Sequence, residues 1–345
     1  MLREKRVIVA GAGAIGSALG GYLAECGVPV VLVARPAHAE AIRTRGLTLR
    51  TPRGVLRPKL SAVASVTDVS WEPGDVILLA SKSQDTRALL EEIAAPHEVP
   101  VVCCQNGVRN EEWAQARFER VYGLVPWFSV NYLGPGTVEH TVRNGLVLGS
   151  FPTGVDGFAE ELASAFRESG FDVRLHPHVM SHKWGKLVVN LNNALYPIVD
   201  TWQQKAYTEP ALRAFMVENM REGVAVLKAA GIDPIVWPND RPVDDFIAGV
   251  AAGALAHHSP DAIPEGERSY PSTWQDVRLG RTSTEIEFFN GEIVELGRTQ
   301  NVPTPYSQTL LDMMREIVAS RSPPGLYTLD DVRARVERAS AFGGA

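Results

Sequence analysis

A chain of 345 residues, at roughly 150 residues per domain, has room for about two domains and a proper buried core. Hydrophobic residues make up 45% and charged residues 21%, and 34 basic against 40 acidic side chains leave a net charge of -6, which gives no electrostatic footprint for nucleic acid or an anionic membrane. Three cysteines, Cys26, Cys103 and Cys104, are too few and too badly spaced for a disulfide framework or a CxxC metal site, which favours a reducing, cytoplasmic setting.

From Arg6 to about Arg174, short β-branched runs alternate with amphipathic stretches: VIVA at 7–10, VPVVLVA at 28–34, DVILLAS at 75–81, VPVVCC at 99–104 and RVYGLV at 120–125. Apolar runs of this kind, separated by helix-length segments, predict a parallel sheet covered on both faces. Polar-apolar alternation around the turn at Pro52 to Gly54 predicts a short antiparallel excursion over 46–60, and a second pair is expected between 136–139 and 145–149. After His176-Pro177-His178 the chain reads as helices. The expected division is therefore an α/β domain over 1–177, a helical domain over 178–337 and a frayed tail over 338–345. Within the second domain, Pro and Gly collect between Asp233 and Pro271 around the apolar piece 246–255, whose Gly249 and Gly253 would admit close approach of another backbone. That piece fits either packing within one chain or contact with a second copy, so a homodimer is among the expectations. No stretch approaches the ~18 apolar residues of a membrane span.

Gly11-Ala12-Gly13-Ala14-Ile15-Gly16 is a GxGxxG directly after the first strand and directly before a helix. The first glycine permits a tight turn, the second lets backbone reach a pyrophosphate, and the third lets helix and strand pack closely, with the anion on the helix N-terminus beside Ala14 and Ile15. The basic start and apolar run of this segment also have the outline of a secretory signal, but the small residues stand where the turn demands them. The second strand ends at Ala34-Arg35 with no carboxylate before Glu40. A guanidinium there suits a 2'-phosphate, so NADP (NADPH) is the expected cofactor.

Ligands of open α/β sheets lie outside the carboxyl ends of the strands, which draws attention to Ser81-Lys82 and Gln105-Asn106-Gly107. Each is open to a second reading as an ordinary turn. In the helical domain Lys186, Asn190 and Asn193 fall at i, i+4 and i+7 on one predicted helix face, either making structural hydrogen bonds or lining a cleft. The stretch from Pro271 to Gly291 carries Ser272, Asp276, Glu285 and Asn290 and is rich in polar residues, as a solvated helix face would be. Histidines 176, 178 and 182 lack a supporting carboxylate or cysteine motif, so no metal is expected. No GxSxG elbow supports covalent hydrolysis.

Taken in order, VIVAGAGAIGSALG, the arginine of LVARPAHAEAIRTRGLTL, the lysine of LLASKSQDT, the QNG of CCQNGVRN, the WGKLVVN helix, and S-x-x-x-D followed by TEIEFFNG resemble the ketopantoate reductase family over nearly the whole chain. The resemblance implies a Rossmann-like N-terminal domain, an all-helical C-terminal domain and an active site in the cleft between them. It implies NADPH-dependent reduction of 2-dehydropantoate to (R)-pantoate, a step toward pantothenate and coenzyme A. Lys186 then looks like the catalytic acid, Glu285 its partner, Asn106 the residue at the nicotinamide and substrate, and Lys82 a cofactor-side lysine. Asn190 and Ser272 look like substrate-binding residues, with Asn193 as a substitute for the family's second asparagine.

Three departures from the family pattern stand out. Ala194-Leu195 occupies the place of that second asparagine and its proline, one extra residue separates Asp276 from Glu285, and the segment between Gly231 and Ser272 is long. They leave open the alternative of a different 2-oxo acid as substrate. A second alternative, an NADP(H)-binding sensor without turnover, has no need of Lys186 and Glu285 together.

Overall fold

The computed structural model describes residues 2–141 and 145–342. It divides into two compact units, Met1–Lys183 and Trp184–Ala345. The first contains, in chain order, β1 (Val7–Ala10), α1 (Ala14–Glu25), β2 (Val30–Val33), α2 (Pro36–Arg45), β3 (Thr48–Thr51), β4 (Gly54–Leu56), β5 (Ser61–Val63), β6 (Val76–Leu79), α3 (Thr86–Glu92), β7 (Val101–Cys103) and α4 (Asn110–Gln115). It continues with β8 (Val121–Trp127), β9 (Val130–Gly134), β10 (Thr137–His140), β11 (Gly145–Ser150), α5 (Gly157–Glu168), β12 (Asp172–Leu175) and the start of α6 (Val179–Asn190), inside which the division between the units falls.

Eight strands form one sheet in the order β12-β11-β8-β7-β6-β1-β2-β5. Six of them, from β8 to β5, run parallel, while β11 pairs antiparallel with β8. The alternating side chains explain why these runs read as continuous apolar segments. Val7, Val9, Leu32 and Leu78 face a core shared with α1 and α5, whereas Ile8, Ala10, Ile77 and Leu79 face one shared with Leu90, Ala114 and Phe118 around α3 and α4. With both faces covered there is no solvent side to mark with polar residues. Chain order reverses at β1, whose neighbours are β2 and β6, and such a switch point opens a crevice at the strand ends.

The excursion predicted after Gly46 forms as β3 and β4, paired antiparallel with Leu49 opposite Leu56. The second expected pair does not. β10 joins β3 and β9 in a four-stranded sheet of order β4-β3-β10-β9, while β11 enters the large sheet between β8 and β12. Local turn signals identified the strands but carried no information about partners distant in sequence. Residues 142–144, within that expected pair's connection, lie outside the described residues.

The second unit continues α6 and adds α7 (Leu195–Ile198), α8 (Gln203–Thr208), α9 (Pro210–Ala229), the two-residue strands β13 (Ile235–Val236) and β14 (Arg241–Pro242), α10 (Val243–Ala251), α11 (Ser272–Arg278), α12 (Asn290–Gln300), α13 (Pro305–Ser320) and α14 (Leu329–Phe342). Its core joins Leu212, Phe215 and Met216 of α9 to Leu310, Met313 and Met314 of α13 and Val332 of α14. The Glu222 carboxylate of α9 accepts the backbone N–H groups of Tyr306 and Ser307, each at 2.8 Å, and so caps the start of α13. Burial pushes that carboxyl upward, opposed by the two backbone hydrogen bonds.

Two expectations change in this unit. Helix α10 covers only the first part of 246–255 and ends before Gly253, which turns the chain at φ +82°. An added Cβ at Gly249 would have Ala254 Cβ as its nearest neighbour, at 3.8 Å, so within the chain neither glycine is closely approached by another backbone. The tail expected from residue 338 is helical as far as Phe342, and 343–345 lie outside the described residues. Among the described residues no helix is long and apolar enough to cross a membrane.

Candidate functional site

The Gly11–Gly16 turn joins β1 to α1, and its three glycines meet three different surroundings. Gly11 has φ +95°, and a Cβ there would lie 2.4 Å from the Ser81 nitrogen, so this turn is pressed against the chain leaving β6. Gly16 is packed between Gly11 O, Ala80 and Val9, all near 3 Å from a built Cβ. Gly13 is exposed, with nothing within 4 Å of the same position. It caps α1 without a side-chain acceptor, and no acidic residue occupies the first helical turn. An open backbone approach beside uncapped helix N–H groups suits a pyrophosphate, so the turn that Ala14 and Ile15 begin fits the dinucleotide expected from the sequence.

This turn is supported from behind. Gly136 N–H donates to His38 Nδ1 at 2.8 Å, which leaves the ring proton on Nε2 to reach Ser17 Oγ at 3.0 Å. Ser17 Oγ in turn donates to Ala12 O at 3.2 Å. Burial lowers the His38 imidazole below its ordinary value, consistent with this neutral, accepting form.

Arg35 follows β2 as the exposed N-cap of α2 and has no ion-pair partner among the described residues. Lys82, half-buried, follows β6, where its carbonyl accepts from Asp85 N–H at 2.9 Å. Asn106 follows β7 in a turn completed by Gly107 at φ +80°. The Asn106 carbonyl receives Ser83 Oγ and Asn110 Nδ2, both at 2.9 Å. Thr86 Oγ1 donates to Asn110 Oδ1 at 2.9 Å and is itself approached by Gln105 Nε2 at 3.1 Å. The network thus binds the segments after β6 and β7 into one rigid rim. Within it Asn106 Oδ1 is buried without a hydrogen-bond partner, a polar atom that a bound group would satisfy.

No motif or spacing marks the group beneath this rim. Lys183, in the first half of α6, and Glu111 of α4 form an ion pair at 2.8 Å with both side chains almost wholly buried. Lys183 Nζ also donates to Cys103 O at 3.0 Å and Gln105 O at 2.8 Å. The ammonium is thus hydrogen-bonded to two carbonyls and ion-paired to a carboxylate whose own two oxygens are buried without a hydrogen-bond partner. Cys103 and Cys104 are buried, and burial raises both thiols, Cys104 to about 12, so they are inert packing residues. Near the end of the unit, His178 N–H donates to His176 Nδ1 at 3.1 Å.

In the second unit Lys186 and Asn190 lie one turn apart on α6, both half-buried. Gly185, between Trp184 and Lys186, lies directly under β13, where a built Cβ would fall 1.9 Å from Ile235 O. Asn193 departs from the expected helix face. α6 stops at Asn190, and a 3-10 turn over Leu191–Ala194 carries Asn193, because Asn192 turns inward to accept Asn219 Nδ2 at 2.9 Å and donate to Met216 O at 3.3 Å. Ala194 is wholly buried in that turn. Ser272 is the exposed first residue of α11, which packs on the same 3-10 turn.

The polar stretch after Pro271 is not one solvated helix. Its pieces are α11, a 3-10 turn over Glu285–Phe288, and α12, and its Asp276, Glu285 and Asn290 are all buried. Gly280, at φ +63°, makes the first break.

A family model described as ketopantoate reductase PanE/ApbA matches residues 7–153, and the corresponding C-terminal model matches residues 178–318. Over 312 residues the chain is 28% identical to the 2-dehydropantoate 2-reductase of Pyrococcus horikoshii, covering 90% of this chain and 96% of that protein. The enzyme of the same name from Lactococcus lactis is 27% identical over 317 residues, covering 90% and 96%. The crystal structure of a PanE/ApbA family ketopantoate reductase from Ralstonia eutropha superposes with a TM-score of 0.78 at 30% identity, over 92% of this chain and 99% of that one. A D-mandelate dehydrogenase solved with NADH and anilino(oxo)acetate gives a TM-score of 0.79 over 92% and 99%. At 24% identity that likeness is one of fold.

Proposed function

The chain belongs to the ketopantoate reductase family and is an oxidoreductase acting on CH–OH donors, and from that premise we propose that it reduces 2-dehydropantoate to (R)-pantoate with NADPH, a step toward pantothenate and coenzyme A. The observation that carries the cofactor half of this reading is the Gly11–Gly16 turn, pressed shut at Gly11 and open at Gly13 above an uncapped helix start. Arg35, exposed at the end of β2, supports the phosphorylated dinucleotide, since a guanidinium gives planar, charge-assisted hydrogen bonds to a phosphate.

Bound on this turn, a nicotinamide dinucleotide supplies the hydride. The other contributions come from this chain's side chains. Reduction of a ketone builds negative charge on its oxygen, and Lys186 holds an ammonium for that oxygen, first stabilising the charge and then delivering a proton. Glu285 acts as its partner at the site. Asn106 presents its unpartnered Oδ1 and its amide to the nicotinamide side and the substrate, and Lys82 serves the cofactor from the neighbouring strand end. Asn190 and Asn193 offer hydrogen bonds to the substrate, and Ser272 offers its exposed hydroxyl to the substrate carboxylate.

A second reading keeps this chemistry and changes the acid. Buried Ala194 stands where the family has an asparagine, and the segment after Gly231 is long. The fold is also that of a D-mandelate dehydrogenase.

Following NADPH absorbance with the purified protein and a panel of 2-oxo acids decides between these readings. The expected result is turnover of 2-dehydropantoate, reduced about 10²- to 10⁴-fold in Lys186→Ala, equivalent to about 3–5 kcal/mol of barrier. Faster reduction of another 2-oxo acid selects the second reading, and full activity of Lys186→Ala removes the lysine from its role.

A further inference from the structure

We propose that Lys183, paired with Glu111, is a positioning residue that sets the Gln105-Asn106-Gly107 turn and so controls how the protein grips the nicotinamide end of its cofactor. The inference rests on the reading of Asn106 as the side chain that meets that end. Lys183 Nζ donates to Cys103 O, the last residue of β7, and to Gln105 O, immediately before Asn106. Its third contact is Glu111 Oε1 at 2.8 Å, and the two side chains are 2% and 0% exposed.

A charged pair held this deep needs compensation: the ammonium has it in two backbone carbonyls and the nearby carboxylate, whereas neither Glu111 oxygen has a hydrogen-bond partner, so the carboxylate depends on the charge of Lys183 alone. The surroundings accommodate it. Gly123 of β8, opposite Cys103 in the sheet, leaves space that Val179 of α6 fills, 3.0 Å from where a Cβ would be, with Glu111 Oε1 3.4 Å from the same point. The rim is therefore fixed from two directions, by Ser83 and Asn110 on the Asn106 carbonyl and by Lys183 on the carbonyl just before it. Neither grip touches the side chain of Asn106. They set the backbone from which that side chain extends, and Lys183 lies one helical turn before Lys186 on α6.

Replacing Lys183 alone strands the Glu111 charge and takes a donor from the Cys103 and Gln105 carbonyls, so Lys183→Met is expected to lose stability. The informative variant is the double replacement Lys183→Met with Glu111→Met, since exchanging a buried pair for apolar residues of similar volume is often neutral or stabilising. Two ligands are titrated against it by intrinsic fluorescence: NADPH, and its nicotinamide-free fragment 2'-phospho-ADP-ribose. The expected result is a melting temperature above that of Lys183→Met, unchanged affinity for the fragment, and affinity for NADPH lowered about tenfold. Affinity for NADPH equal to wild type, or an equal loss for both ligands, overturns the inference and leaves the dinucleotide reading intact. Failure of the wild-type protein to bind either ligand overturns that reading and this one with it.

Discussion

Replacing Gly185 by alanine sets two opposing terms against each other in a single methyl group. Alanine is favoured over glycine inside a helix by roughly 1 kcal/mol. The new Cβ, however, would lie 1.9 Å from Ile235 O, 2.7 Å from its carbonyl carbon and 3.1 Å from its nitrogen. A carbon and a carbonyl oxygen in contact ordinarily sit about 3.3 Å apart, so β13 or α6 must yield by more than 1 Å. Both partners are backbone, and overpacking of this kind costs about 1–3 kcal/mol, occasionally more. Taking the upper end and subtracting the helical gain leaves a net loss of about 2 kcal/mol, or a fall of roughly 4–8 °C in melting temperature for a cooperative unit of this size. Because Lys186 is the next residue, a shift of α6 near 1 Å would also lower turnover by about 10²-fold. The control is Gly249→Ala in α10, where the nearest atom, Ala254 Cβ, is an ordinary 3.8 Å away and the melting temperature should rise by roughly 2–4 °C. Calorimetry of the two variants beside wild type tests this directly. If Gly185→Ala is stabilised as much as Gly249→Ala, the steric argument is wrong.

Arg35→Ala should weaken NADPH binding by about 10- to 100-fold, from the loss of charge-assisted hydrogen bonds worth about 1.5–3 kcal/mol, and leave NADH binding unchanged. Parallel titration of the two dinucleotides reads this, and equal losses for both would disprove the phosphate role. For His38 the sign is set by burial, which lowers the folded imidazole below 6.5 while the unfolded one keeps its ordinary value. As pH falls below about 6.5 the unfolded chain takes up the proton first, so stability is lost on acidification, at no more than about 1.4 kcal/mol per pH unit. His38→Asn, which retains an acceptor for Gly136 N–H, should flatten the melting curve between pH 5 and about 6.5. An unaltered slope would assign the acid sensitivity elsewhere.

The large sheet was legible because strands covered on both faces read as unbroken β-branched runs, as Val7–Ala10 and Val76–Leu79 do. The glycine turn was legible for a related reason: Gly11 and Gly16 answer steric demands of the turn itself, and Gly13 keeps the approach to the helix start open. Asn193 was misplaced because a period of 3.6 projects a helix forward indefinitely. Nothing in the residue pattern announces that the buried amide of Asn192, held by Asn219 across the unit, will tighten the next turn to 3-10. Asp276, Glu285 and Asn290 looked like a solvated face because polarity alone does not reveal burial. Gly280 was the one available sign of a break. The pairing of Glu111 with Lys183 had no local signature, being made only when α4 and α6 meet beneath β7.

Most multi-domain chains are joined by slack segments that absorb insertions and deletions. Here the join is α6 itself, with Lys183 and Trp184 on either side of the division. One residue inserted at that point advances the rest of α6 by 1.5 Å and turns it by about 100°. Lys186 would then leave the angular position it holds relative to Lys183. An insertion within α6 therefore changes the helix face on which its later side chains stand. A loop absorbs an added residue by bulging, whereas α6 passes it on as a change of phase between the lysines it carries.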